Sequence, residues 1–271
     1  MAATPQNLLV IMSDEHNRKI AGHAGHPIFI TPALDALAAG GSCFTAAYTP
    51  SPICVPARAS LATGLPVHQH RAWDNAIAYD GRIRGWAHVL RNRGHDVAAI
   101  GKLHYRGHPD EDYGFTESLL AMHITGGIGD VTHLVRDPDD IRTTGKNLIA
   151  SAGPGESSYT LYDRQVAAAA QIWLRENGTR RHARPWVLFV SMVAPHFPLT
   201  APPSITTATL ARICRGRSYT IRLSGRTTRM SACTRGDRIT TGTSTARQTC
   251  NGLWPGILAS FRFSTSRLAR S

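Results

Sequence analysis

Asn7-Leu8-Leu9-Val10-Ile11-Met12 is apolar from Leu8 onward and ends abruptly in Ser13-Asp14-Glu15. A short apolar run without polar alternation reads as a parallel strand buried on both faces, releasing acidic groups at its C-terminal end. Ligand sites in open α/β sheets lie at that edge. Trp186 to Val193 is a second such run, and it delivers Ala194-Pro195-His196-Phe197-Pro198. Between the two, helical stretches alternate with extended ones. Thr31-Pro32 opens a helix through Leu34, Leu37 and Ala38 that Gly40-Gly41 stops, and Ser42 to Tyr48 follows as a candidate strand. Cys54 to Pro56 starts a helix that runs to Thr63 and halts at Gly64, proline being suited to a first helical turn. Trp86 to Arg93 reads as a helix closed by Gly94, followed by a strand over His95 to Ile100 and then Gly101-Lys102-Leu103-His104. Tyr162 to Glu176 is strongly helical. This alternation predicts an α/β fold, a mostly parallel sheet flanked by helices. Residues 105 to 160, rich in Gly, Asp and Pro, read as long loops.

The 271 residues are 42% hydrophobic, enough for a sizeable core. A net charge of +12 would suggest nucleic acid or an anionic membrane if it were spread over a folded surface. It is not. Residues 204–271 hold twelve Arg against one acid, Asp237, so eleven of the twelve net charges lie there. Half of that segment is Arg, Thr and Ser, with neither helical periodicity nor clean strand alternation. The sequence therefore divides into residues 1–203, the α/β part, and a basic tail over 204–271. The tail reads as a disordered extension or as the product of a reading frame lost near Pro203; a nucleic-acid-binding role is the weaker reading, since aromatics are not interleaved with the charge. Cys43, Cys54, Cys214, Cys233 and Cys250 are odd in number and have no metal-ligand spacing, which argues against a disulfide framework. Leu8 to Met12 is too short for a signal-peptide core or a membrane span, so no membrane association and a cytoplasmic location are the expectation.

Cys54-Val55-Pro56-Ala57-Arg58 carries the chemistry. A helix N-terminus presents unpaired N–H groups and a positive dipole end, so a nucleophile at Cys54 would meet an anionic ester where negative charge is favoured. Arg58, one turn on, adds a cation. The pentapeptide matches the Cys-x-Pro-x-Arg motif of the sulfatase family, a branch of the alkaline phosphatase superfamily. Ala59 to Gly64 also resembles that family. Gly101-Lys102-Leu103-His104 looks like its GKxH element, Pro195-His196-Phe197-Pro198 resembles its PHxP element, and Asp14 stands where the family keeps a metal-binding acid. Four elements in the right order cover residues 7–203, nearest the choline-sulfatase and phosphonate-monoester-hydrolase branch.

The resemblance implies a sulfuric ester hydrolase. A separate formylglycine-generating enzyme would oxidise Cys54 to an aldehyde whose hydrate attacks sulfur, and the substrate would be a small-molecule sulfate ester. A divalent metal, Ca²⁺ in the first place with Mn²⁺ or Mg²⁺ as alternatives, would sit on Asp14, Glu15 and residue 54 and polarise the ester. Lys102 would hold an ester oxygen, His196 or His104 would stabilise or protonate the departing alkoxide, and Asn75 would contact substrate. His23, His26, His68 and His70 read as loop residues. Two departures stand out: Glu15 replaces the second Asp of the usual acidic pair, and no late Asp-His or Asp-Asn pair follows residue 203. The expectation is thus of a C-terminally incomplete domain that either holds its metal weakly or does not turn over. A phosphonate or phosphodiester hydrolase of the same superfamily is the enzymatic alternative, because sulfuryl and phosphoryl transfer need similar clamps.

Overall fold

The computed structural model describes residues 6–124, 152–178, 184–206 and 209, together with the backbone of Tyr219–Leu223 and Arg226–Met230. Its centre is a four-stranded parallel sheet of β1 (Leu8–Met12), β2 (Val97–Lys102), β3 (Glu117–Met122) and β5 (Val187–Ser191), ordered β1-β5-β2-β3. The shorter β4 (Gly153–Pro154) pairs with β6 (Thr200–Ala201). Five helices are described: α1 (Pro32–Gly40), α2 (Cys54–Thr63), α3 (Val67–His70), α4 (Trp86–Asn92) and α5 (Ser158–Asn177).

The period-two geometry of the central strands builds two cores. Ala98, Ile100, Leu188 and Val190 point to one face, where Val166, Ala167, Ala170 and Trp173 of α5 cover them. Ala99 and Phe189 point to the other, against Ala59 and Ala62 of α2, Leu103 and Tyr105. The sheet is thus sandwiched between helices, the α/β arrangement expected from the alternation of elements. Sequence signals also fix the helix ends. Ser157 accepts from Thr160 N at 3.2 Å while Thr160 Oγ1 accepts from Ser157 N at 2.8 Å, a reciprocal cap that starts α5. Gly64, at φ 72°, ends α2 by donating to Ser60 O.

Gly101 ties the sheet to the site. Its φ is +104°, and a Cβ there would lie 2.1 Å from Ser191 O, so only glycine lets β2 and β5 approach where Lys102 emerges.

Several expectations need correction. Among the described residues β1 has one ladder neighbour, β5, and Leu8 and Leu9 are 49% and 38% exposed instead of buried. Ser42 to Tyr48 forms no strand; it is exposed chain, and Phe44 and Tyr48 stand in solvent. The segment taken as loops contains β3, whose half-exposed ESLLAM lacks β-branched residues and gives a weak signal; residues 125–151 of it lie outside the described residues. His68 and His70 sit on α3, not in a loop. Beyond Pro203 a helical turn covers 203–206, with Thr206 buried. Farther on, β7 (Tyr219–Leu223) and β8 (Arg226–Met230) pair antiparallel, a hairpin that no strand alternation announced. The rest of the 204–271 tail lies outside the described residues.

Candidate active site

The site gathers at the C-terminal edge of the sheet. Cys54 is the first residue of α2, and its N-cap, Ile53, has no side chain able to cap. Asn75 does so from twenty residues away: its Oδ1 accepts from Val55 N at 3.1 Å and from the Cys54 thiol at 3.4 Å. Asn75 is itself presented by a turn in which Asp74 Oδ1 accepts from Ala76 N at 2.8 Å. Cys54 is half-buried and, with Asp14, Glu15 and Arg58, lines an open cavity of about 1020 Å³.

Behind the cavity lies a buried ionic cluster. Arg58, one helical turn after Cys54, donates Nη1 to Lys102 O and to Ser191 Oγ at 3.0 Å, and Nη2 to Asp14 Oδ2 at 3.1 Å. The same carboxylate oxygen takes Lys102 Nζ at 2.5 Å. Burial alone pushes the Asp14 carboxyl up, but Lys102 and then Arg58 outweigh it and hold the group below its ordinary range. One carboxylate between two cations leaves the cluster with a residual charge of +1, suited to an anion in the cavity.

His104 and His196 complete the group. His104 sits at φ 53° just past β2, and its buried Nδ1 has no hydrogen-bond partner among the described residues. Burial, reinforced by the charges of Lys102 and Arg58, pushes its pKa down to about 3, so the ring is neutral at pH 7. His196 donates Nδ1–H to Phe197 O at 2.7 Å, and its Nε2 faces Glu15 Oε1 at 3.5 Å. Glu15, at φ 58°, is half-exposed on the cavity wall.

Asp14, Arg58, Lys102, His104 and His196 thus converge as an electrostatically coupled set, with Cys54 on the cavity wall and Asn75 hydrogen-bonded to it. The expected metal set fares differently. Among the described residues no group of three or more His, Cys, Asp or Glu comes together to hold a cation. Asp14 Oδ2 is occupied by two cations and Glu15 is turned to His196, so Asp14, Glu15 and Cys54 do not form a cage. Two participants escaped the sequence reading. Ser191 closes β5 and accepts from Arg58. Asp163 on α5 accepts from Val193 N and Ala194 N, both at 2.7 Å; only the oddity of an acid on the apolar face of a helix could have flagged it. His23 lines the rim of the same cavity, beside Asp35 at 3.4 Å, whereas His26 lies outside its lining and accepts from Ile28 N and Phe29 N. No helix among the described residues is long and apolar enough to cross a membrane.

The sulfatase family model matches residues 6–215. The choline-sulfatase of Rhizobium meliloti (strain 1021) is 35% identical over 208 residues, covering 74% of this chain and 40% of that protein. Arylsulfatase K of Rattus norvegicus is 27% identical over 205 residues, covering 74% of this chain and 33% of its own. The chain therefore spans about two fifths or less of the length of these curated relatives. The crystal structure of the phosphonate monoester hydrolase of Agrobacterium radiobacter superposes with a TM-score of 0.59 at 19% identity, over 98% of this chain and 58% of that one, a likeness of fold. With its family model matched over most of the sequence, the chain belongs to the sulfatase family.

Proposed function

We propose that the protein hydrolyses sulfuric esters at residue 54, after a formylglycine-generating enzyme has converted the Cys54 thiol to an aldehyde. The observation that carries this reading is the placement of Cys54 at the start of α2, in the wall of a cavity backed by the +1 cluster of Asp14, Arg58 and Lys102. As its hydrate, the aldehyde would supply a hydroxyl nucleophile, which a thiol replaces poorly toward sulfur.

The chain's own residues supply the surroundings of that step. Arg58 lines the cavity and would meet the ester oxygens, while Lys102 is buried behind it on Asp14 and adds its charge from there, so little reorganisation is needed as negative charge develops. Asn75 holds the first turn of α2, and with it residue 54, in place. His104, neutral at pH 7, can offer an N–H or accept one but is not a source of protons for the leaving alkoxide. His196 takes that role by position: its Nδ1–H is committed to Phe197 O, which leaves Nε2, 3.5 Å from Glu15 Oε1, as the ring atom available to the leaving oxygen. The family generally uses a divalent metal. The described residues do not complete a site for one, and no step above depends on it.

The test is turnover of an aryl sulfate and of a phosphonate monoester, in parallel, by the full chain co-produced with the maturating enzyme, with Cys54→Ala as the zero. Cys54-dependent release of sulfate, even if slow, supports the proposal. Faster release of phosphonate would transfer the site to the sister reaction, and both rates equal to the Cys54→Ala background would refute it.

A further inference from the structure

The turn that carries His196 is gripped from outside its own segment. Leaving β5, the chain directs two successive amides at α5, and each meets its own carboxylate oxygen of Asp163: Val193 N donates to Oδ1 and Ala194 N to Oδ2, both at 2.7 Å. The turn closes with His196 N donating to Val193 O at 2.9 Å. One helical turn before Asp163, the Tyr159 ring meets the His196 ring edge-on at 6.0 Å. Helix α5 therefore touches the turn twice, at its backbone and at its catalytic ring.

A carboxylate at this place demands a reason. Asp163 is 2% exposed, on the face of α5 that otherwise presents Val166, Ala167 and Ala170 to the sheet. Burying a carboxyl there is costly, and an apolar residue would pack without that cost. What an apolar residue cannot do is satisfy two adjacent N–H groups that no strand partner reaches. Asparagine cannot hold both in this arrangement either, since each amide meets a different oxygen and the NH₂ of asparagine would face one of them donor to donor.

We propose that Asp163 is a positioning residue for His196, fixing the 193–196 turn so that Nε2 faces Glu15. Its importance for turnover rests on the proton-donor role given to His196 above, whereas the clamp itself can be tested without turnover. Nuclear magnetic resonance of the full chain supplies the readout, with His196→Gln used to assign the ring signals. In Asp163→Asn, the amides of Val193 and Ala194 should exchange at least about tenfold faster, since a charge-assisted hydrogen bond is lost. Those of Leu188 and Val190 should stay within about twofold, as the strand is held by its own ladder. The His196 ring signals should shift as the ring leaves Tyr159. Asp163→Ala should do the same more strongly where it folds, and the near-isosteric Asp163→Asn decides where it does not. His196 ring signals unchanged in Asp163→Asn, whether or not the amides loosen, would overturn the proposal. If those signals move but His196→Gln leaves ester turnover intact, the positioning stands and the proton-donor reading falls.

Discussion

Lys102 Nζ lies 2.5 Å from Asp14 Oδ2, joining two buried side chains at the C-terminal ends of β2 and β1, strands that β5 separates in the sheet. Arg58 Nη2 reaches the same oxygen at 3.1 Å, so one carboxylate organises both cations. Removing one member of such a buried set strands the others, at a cost of about 3–5 kcal/mol. Lys102→Met should therefore lower the unfolding midpoint in urea markedly, and Asp14→Asn should as well. Each change should cost less in the presence of the other, and strictly additive losses in the double-mutant cycle would show that the pair is not coupled.

Asn75 should matter for the helix before it matters for any substrate. Asn75→Ala removes the acceptor for Val55 N and should destabilise the chain by about 1 kcal/mol. Asn75→Asp keeps an acceptor at the positive end of α2 and should restore most of the loss. Denaturant unfolding of the three proteins checks this order, and equal stability of all three would remove the capping role.

The depressed pKa of His104 has a consequence for acid stability. In the unfolded chain the ring takes up a proton near pH 6.5, but in the folded chain only near pH 3. Between these values the unfolded state binds more protons, so this stabilising contribution is complete above pH 6.5 and drains away as the pH falls. His104→Gln cannot titrate. The stability difference between wild type and His104→Gln should therefore shift against the wild type from pH 7 to pH 4, and a difference independent of pH would contradict the burial argument.

Metal binding should be weak. A hard cation such as Ca²⁺ takes about six to eight oxygen ligands, and the described residues bring no three donors together. Calorimetric titration of the full chain with Ca²⁺, Mn²⁺ and Mg²⁺ should give little or no tight binding, whereas a stoichiometric high-affinity isotherm would mean that ligands outside the described residues complete the site.

Much of this arrangement was legible because the sequence states it locally. The apolar runs at Leu8 and Val187 named the strands, Pro56 and Gly64 framed α2, and Asp14, Lys102 and His196 each stand at or just past the C-terminal end of a strand. What escaped depends on distant partners. The exposure of Leu8 and Leu9 follows from β1 having a neighbour on one side only among the described residues, which no run of hydrophobic residues encodes. β3 is a strand because β2 offers it an edge, not because ESLLAM prefers extension. Asp163 looks like a solvent-facing acid until β5 places two amides against it. Asn75 likewise becomes a cap only when its loop folds back to α2.

The central claim is that residue 54 is the nucleophile's precursor, and the most direct measurement is the mass of the peptide containing it, taken from the full chain co-produced with a formylglycine-generating enzyme. The peptide should carry an aldehyde in place of the thiol and should react with a hydrazide probe, while Arg58→Ala, which breaks the Cys-x-Pro-x-Arg pattern, should be converted far less. An unmodified thiol at Cys54, under conditions that fully convert a control sulfatase, would contradict the claim.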